Sequence, residues 1–266
     1  MMTCNQTWPE PIVRVQALAE SGLSSIPSSY IKPCSQRPTQ TTFTPQNDHY
    51  DHINIPVIDL EHLSSGDQVL RENVLKQVSE ACREWGFFQV VNHGIDHELM
   101  KSAKEVWREF FDLPLEMKEE LANSPSTYEG YGSRLGVKKG AILDWSDYFF
   151  LHYMPPSLRN QAKWPALPSS LRGQSYRYSR INKVLSNAIY KSIEHRVIVN
   201  PIKDRVSLAM FYNPKSDLLI QPAKELVTKE RPAMYPPMTY DEYRLFIRMK
   251  GPCGKAQVES LANKCD

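Results

Sequence analysis

The spacing of apolar residues predicts two amphipathic helices in the first half of the chain. Within 67–85 and again within 97–111, apolar side chains recur every three or four residues, the period of an α-helix with one buried face. A shorter helix fits 115–122, because Pro114 suits the first turn of a helix. Three apolar stretches predict strands: INIPVIDL (53–60), FFQVV (87–91) and DYFFLHY (147–153).

The second half of the chain has a different pattern, which predicts a β-hairpin followed by a helix. Apolar residues mark two strands, 189–199 and 205–212, and the Asn-Pro and Lys-Asp pairs of 200–204 are typical of a turn. A final helix fits 240–250, whereas 173–182 follows neither the helical nor the strand period. Because one hairpin cannot bury its own apolar face, we expect that an element which should cover it is missing.

Three chemically useful side chains share one face of the predicted hairpin. Residues two apart in a strand point to the same side, and a five-residue turn places Val199 opposite Arg205. On this register His195, Arg205 and Ser207 lie on one apolar surface, where an imidazole can bind a metal and the Arg–Ser pair can hold a carboxylate. A one-residue change in turn length would separate them. From spacing alone, the commoner interpretation is a hydrogen-bonded core histidine and a surface arginine.

Composition and charge narrow the choice of partners and compartment. The chain has 41% hydrophobic and 23% charged residues and a net charge of +2, with no Lys/Arg block that would favour nucleic acid or an anionic membrane. The sequence contains no apolar run of about 18 residues, the length that a membrane-spanning helix needs. Its first residues lack the apolar core of a signal peptide. The five cysteines are far apart, which is typical of reduced thiols. We therefore expect a cytoplasmic protein.

Five stretches resemble the plant 2-oxoglutarate/Fe(II)-dependent dioxygenases: FFQVVNHGI (87–95), WREFFDLPLEMKEELANSP (107–125), TYEGYGSRLGV–KGAILDWSDY (127–148), VLSNAIYKSIEHRVIVN (184–200) and RVSLAMFYNP (205–214). Within that family, NQTWPEPIVRVQ and YEGYGSR…GAILDWSDY are most similar to the jasmonate-induced oxygenases, which hydroxylate jasmonic acid. The resemblance covers about residues 5–172 and 184–255 and stops between them.

The resemblance implies a mixed α/β fold, in which a helical N-terminal dioxygenase domain precedes a double-stranded β-helix (jelly-roll) barrel that is incomplete here. It divides the chain into an irregular N-terminal arm (1–52), the N-terminal domain (53–172), a junction without resemblance (173–183) and a remnant of the iron-binding domain (184–255). On the order of a hundred barrel residues of the family are skipped at the junction, too many for the deletion of a loop.

The resemblance also assigns roles to the three hairpin side chains. His195 in SIEHRV matches the distal iron-binding histidine, and Arg205 and Ser207 match the R-x-S pair that binds the far carboxylate of 2-oxoglutarate. The H-x-D pair that completes the family's 2-His-1-carboxylate ligand set has no counterpart, nor has the N-Y-Y-P stretch before it. His49-Tyr50-Asp51 does spell H-x-D, but it lies in the Pro/Thr-rich arm, where nothing positions it rigidly.

Other candidates carry less weight. On the strand DYFFLHY, Tyr148, Phe150 and His152 alternate onto one side and match positions that look toward the substrate in the family, although ordinary strand packing explains them as well. His93 follows a strand in an N-H-G turn, and we interpret it as structural.

Arg244 and Arg248 are four residues apart on the last predicted helix and therefore share a face. They fit either a clamp for an anionic substrate, such as the carboxylate of jasmonate, or a solvated helix surface. By resemblance the partner is a small anionic molecule, with no nucleic acid and no membrane, and the oligomeric state is open.

By resemblance the ancestral activity is oxidative hydroxylation of a small plant metabolite with Fe(II) and 2-oxoglutarate, and ascorbate is a further candidate cofactor. A single imidazole cannot hold Fe(II) in a defined geometry, so we expect the chain as it stands to be inactive. Two alternatives stay open: a non-catalytic truncated paralogue or splice form, and a fragmentary gene model of a full-length enzyme.

Overall fold

The computed structural model describes residues 8–34, 37, 55–134, 139–153, 156–165, 181–193, 195, 197–200, 202–211, 213–250 and 261–262. The helices are α1 (Val15–Glu20), α2 (Gln68–Glu84), α3 (His97–Asp112), α4 (Leu115–Glu119), α5 (Ile181–Leu185) and α6 (Tyr240–Lys250). The strands are β1 (Val57–Asp59), β2 (Gln89–Val91), β3 (Gly130–Gly132), β4 (Tyr148–Phe150), β5 (Leu219–Ile220) and β6 (Met238–Thr239). Short 3-10 turns lie at Ser28–Tyr30, Glu61–Ser64, Pro156–Leu158, Gln161–Lys163 and Lys224–Leu226.

The described strands pair two by two, which makes the protein mixed α/β as predicted. β1 and β2 are parallel, whereas β3–β4 and β5–β6 are antiparallel. No helix among the described residues is both long and apolar enough to cross a membrane.

Helix α2 covers the first strand pair, and its prediction is confirmed. The carboxylate of Asp67 caps the helix by accepting hydrogen bonds from the backbone amides of Val69 and Leu70. Ile58 of β1 and Val74 and Ala81 of α2 form a buried cluster, so the helix packs its apolar stripe onto the strands.

Helix α3 covers the second strand pair in the same way, and its prediction is confirmed too. Asp96 caps the helix through its side chain, while Val106 and Phe110 are buried. The ring of Phe110 meets that of Phe149 on β4 edge to face, with the ring centroids 4.9 Å apart.

The predicted irregular N-terminal arm is in part ordered, because residues 8–20 form a strap that includes α1. The carboxylate of Asp147 caps α1 from outside, accepting the backbone amides of Val15 and Gln16 at 3.0 Å each. The same carboxylate accepts the hydroxyls of Tyr131 and Ser133, so one acidic side chain joins the strap to β3 and β4. Polar groups withdrawn from water require such partners.

Charged side chains also fix the strap to α4. The guanidinium of Arg14, itself buried, makes two hydrogen bonds to the carboxylate of Glu119, at 2.6 and 2.9 Å. The hydrogen bond from Arg14 lowers the pKa of Glu119. The amine of Lys118 is fully buried and donates to the carbonyl of Phe111 and the side chain of Gln16, and burial lowers its pKa.

A second buried cluster organises the C-terminal part of the chain around Asn187. Its amide nitrogen donates to the carbonyls of Leu226 and Pro232, and its amide oxygen accepts the backbone amide of Met234. Arg231 donates to its backbone carbonyl at 2.9 Å. The apolar members of the cluster are Val184, Ile220, Tyr235, Tyr240 and Tyr243.

Residues after Asn187 attach this cluster to helix α2. The backbone amide of Lys191 donates to the carbonyl of Cys82 at 2.9 Å, and its amine donates to the carbonyl of Glu84. At Gly86, with φ of +77°, a Cβ would lie 2.8 Å from the carbonyl oxygen of Lys191. Position 86, two residues after the end of α2, must therefore be glycine for the chain to approach this closely.

The predicted β-hairpin is wrong for the residues that the structure describes. None of the described positions in 189–199 or 205–211 lies in a strand, and Tyr212 lies outside the described residues. Val197 is 62% exposed, Val199 47% and Phe211 58%. The physical reason is the one that the sequence indicated: two strands that nothing covers gain too little from pairing.

We expect hydrogen exchange at low protein concentration to separate the covered helices from this segment. Amides of 74–82 and 103–111 should exchange at least about 100-fold more slowly than those of 197–211, because uncovered chain opens at almost no cost. Hydrogen exchange with mass spectrometry measures this directly. Equal protection of both regions in dilute solution would contradict the fold described above.

We expect Asp147→Asn to destabilise the protein by about 2–4 kcal/mol, because an amide nitrogen would then face hydrogen-bond donors. The matched control is Asp144→Asn, which removes an exposed ion pair with Lys32 and should cost no more than about 1 kcal/mol. Urea denaturation followed by circular dichroism gives both values. Similar losses for the two variants would show that Asp147 does not anchor the strap.

Candidate functional site

The three predicted hairpin residues lie on an exposed, irregular part of the chain. His195, Arg205 and Ser207 are all exposed to solvent. The imidazole Nδ1 of His195 lies 3.3 Å from the carbonyl oxygen of Ile193, a contact within its own segment. Since no strand ladder forms at the described positions, the register that would align the three side chains is not formed in this structure.

The described residues do not offer the ligand set that the family's iron requires. They contain no group of three or more His, Cys, Asp or Glu side chains that could hold a metal ion. His195 is thus a single imidazole, and the H-x-D sequence at His49-Tyr50-Asp51 lies outside the described residues. One imidazole does not fit the 2-His-1-carboxylate arrangement.

His93 has a structural contact, consistent with its interpretation from the sequence. Its Nδ1 accepts the backbone amide of Ile95 at 3.1 Å, which closes the turn that Gly94, with φ of +74°, makes possible.

Strand β4 holds two of the predicted substrate residues by contacts within the protein. The hydroxyl of Tyr148 accepts a hydrogen bond from Asn123 at 2.7 Å and donates one to the carbonyl of Arg134 at 2.9 Å. Burial raises the pKa of Tyr148. Gly132 leaves room for this ring, because a Cβ there would lie 2.6 Å from it. Phe150 meets His152 edge to face at 4.9 Å, so any role of the strand toward a substrate stays a prediction.

The two arginines of the last helix are in the predicted helix, α6. Arg244 pairs with Asp241, one turn earlier on the same helix, at 2.5 Å. The side chain of Arg248 lies outside the described residues. The proposed clamp for an anionic substrate therefore stays a prediction as well.

Sequence reasoning missed the polar side chains that hold β3 and β4 in place. Arg14, Lys118 and Asp147 carry no sequence signal, because charged residues are ordinarily expected on the surface. Beside them lies an open cavity of about 470 Å³, lined by Trp8, Pro9, Glu10, Pro11, Ile12, Arg14, Glu119, Ala122 and Asn123. The lining contains none of the predicted site residues.

Comparison with known proteins identifies the family. Residues 55–167 match the model of the N-terminal region of the non-haem dioxygenases in morphine synthesis. Jasmonate-induced oxygenase 1 of Arabidopsis thaliana is 44% identical over 354 aligned residues, covering 96% of this chain and 87% of the relative. Jasmonate-induced oxygenase 2 of the same plant is 43% identical, covering 95% and 94%. Each alignment is longer than the 266 residues of this chain, so the relatives carry residues that it lacks.

Solved structures agree with the sequence relatives. The crystal structure of JOX2 in complex with 2-oxoglutarate, iron and jasmonate matches with a TM-score of 0.81 and 41% identity, covering 97% of this chain and 99% of that one. A rice dioxygenase for auxin oxidation, at 19% identity and a TM-score of 0.53, shares the fold.

Identity above 40% across nearly the whole chain is far beyond what a shared fold alone would require. The retained segments also superpose on an enzyme solved with iron and 2-oxoglutarate. This chain therefore belongs to the 2-oxoglutarate- and Fe(II)-dependent dioxygenases, in the group of the jasmonate-induced oxygenases.

Proposed function

We propose that this chain is a non-catalytic member of the jasmonate-induced oxygenase group, with an incomplete barrel. The observation that carries the proposal is the isolation of His195: it is exposed, and the described residues offer no second and third ligand beside it. An iron site of this family needs two histidines and a carboxylate held rigidly at one point. At its described positions, the segment that carries His195, Arg205 and Ser207 forms no strand.

The complete form of this protein, with the missing barrel strands restored, would hydroxylate a small anionic metabolite, and jasmonic acid is the best supported candidate. JOX2 was solved with 2-oxoglutarate, iron and jasmonate, and it is similar to this chain along nearly all of its length. In the complete form His195 would bind the iron, and Arg205 and Ser207 would hold the far carboxylate of 2-oxoglutarate by charge-assisted hydrogen bonds.

In that complete form, the substrate would be bound by residues that are present in this chain. Tyr148 and Phe150 would face the substrate, and Arg244 and Arg248 would attract its carboxylate from one face of α6. The ion pair of Arg244 with Asp241 would first have to open, which is a small cost for an exposed pair. The widely spaced cysteines favour a cytoplasmic location.

A fragmentary gene model is the second candidate explanation, and the length of the alignments favours it as much as a truncated paralogue or splice form. The genomic DNA between the codons for Arg172 and Val184 distinguishes them. An intact reading frame there that encodes N-Y-Y-P and H-x-D would make the full-length enzyme the true product. If the genomic DNA holds only the codons for residues 173–183 between those two positions, it would support a truncated paralogue.

We expect the purified chain to form no succinate from 2-oxoglutarate above a no-protein control, with Fe(II) and with or without jasmonic acid. Arabidopsis jasmonate-induced oxygenase 2, assayed in parallel, is the positive control. Iron-dependent succinate formation would refute the proposal. If that activity survived the combined change of His49→Ala and Asp51→Ala, a different ligand set would be present.

A further inference from the structure

We propose that the open cavity between the strap and the end of α4 binds a small organic cation with an apolar body, such as an alkyl or arylalkyl ammonium ion. Its volume of about 470 Å³ lies within the range of small-molecule sites. Residues 8–12 of the strap line one part of it, and Glu119 and Asn123 line another. The proposal does not rest on the proposed lack of activity.

One polar atom in the wall of this cavity lacks a hydrogen-bond partner among the described residues. It is the side-chain oxygen of Asn123, a residue that is 8% exposed. The hydroxyl of Tyr148 gives its one proton to the carbonyl of Arg134, so the Asn123 atom 2.7 Å from that hydroxyl is the amide nitrogen. The unmatched atom is therefore an acceptor, which is costly to bury without a donor. A ligand with N–H groups would supply one.

In the two ion pairs beside the cavity, the carboxylates are the more exposed partners. The side chain of Arg14 is 5% exposed and that of Glu119 41%. The side chain of Arg134 is 5% exposed and that of Glu10 32%. Arg14 also donates to both carboxylate oxygens of Glu119 and to the hydroxyl of Ser133, so its guanidinium is used within the protein. A ligand in the cavity therefore meets carboxylate oxygens, which attract a cation and repel an anion.

Both carboxylates carry their charge at neutral pH. The hydrogen bond from Arg14 lowers the pKa of Glu119. Hydrogen bonds from the backbone amide of Gly140 and from Arg134 lower the pKa of Glu10. An ammonium group bound beside them would form charge-assisted hydrogen bonds.

Trp8 adds an aromatic surface to the same cavity. Its ring meets that of Tyr128 edge to face, with the ring centroids 5.5 Å apart and the planes at 80°. Of the aromatic side chains, an indole attracts a nearby cation most strongly. Pro9, Pro11 and Ile12 contribute apolar surface beside it. The lining thus fits a cationic head with a hydrocarbon body, in contrast to the jasmonate bound by JOX2.

The test is a titration of the full chain at neutral pH with 2-phenylethylammonium, followed by saturation-transfer NMR, with 3-phenylpropionate as an anion of matched size. We expect the cation to bind one site with a Kd of about 1 mM or less, and the anion to bind at least about tenfold more weakly. Trp8→Ala should weaken binding of the cation at least about fivefold, because the aromatic surface is lost. Glu10→Gln should weaken it at least about threefold without weakening binding of the anion.

The matched control is Trp85→Ala, which removes an indole that also meets a neighbouring ring edge to face but does not line the cavity. It should leave the Kd within about twofold of the original. Circular dichroism checks the fold of each variant. Should Trp8→Ala unfold, Glu10→Gln decides, because its amide oxygen can still accept hydrogen bonds from Arg134 and Gly140.

Three outcomes would overturn the proposal. They are no binding of the cation up to about 10 mM, equal affinity for the two ions, and unchanged affinity for the cation in Glu10→Gln. Equal weakening by Trp8→Ala and Trp85→Ala would overturn it too. None of these outcomes depends on whether the chain forms succinate, so failure here is distinct from failure of the proposed lack of activity.

Discussion

A pair of short strands forms only where a helix or an apolar cluster covers it. This constraint decides where the described residues form strands. The pair β1–β2 is covered by α2, through a core of Ile58, Val74 and Ala81. The pair β3–β4 is covered by α3, where Phe110 packs on Phe149. The pair β5–β6 is covered by the cluster around α6. The described positions of 192–211, in contrast, form no strand ladder.

Buried polar groups hold the remaining parts together where apolar cover is thin. Asp147 binds the start of α1 and the hydroxyl groups of Tyr131 and Ser133, and Asn187 binds the connection between Leu226 and Met234 in the C-terminal cluster. Such groups are costly to bury unless every donor and acceptor is matched. The contacts of Asp147 explain how the strap of residues 8–20 is held against β3 and β4.

The family relationship and the iron chemistry therefore rest on different features of the molecule. Similarity to the jasmonate-induced oxygenases is spread over nearly the whole chain, and helices, strand pairs and loops all contribute to it. An iron site needs only a few side chains, but each must reach one point from a rigid position. A chain can keep the first property even where, as among the described residues here, no group of three possible metal ligands forms.

The sequence by itself determined the covered helices. The apolar periods of α2 and α3 are local signals, so each helix could be predicted close to its true bounds. The family also came from local motifs, and the roles proposed for His195, Arg205 and Ser207 rest on the same motifs and stay predictions.

Only the tertiary structure decided what joins distant segments. The strap of residues 8–20 and the burial of Lys118 depend on partners about a hundred positions away, which no local pattern records. The pattern of 189–212 was that of two strands, yet pairing is a property of the whole fold. Two strands without a covering layer gain less free energy by pairing than the chain loses in entropy, which explains why the described positions of 189–212 form no ladder.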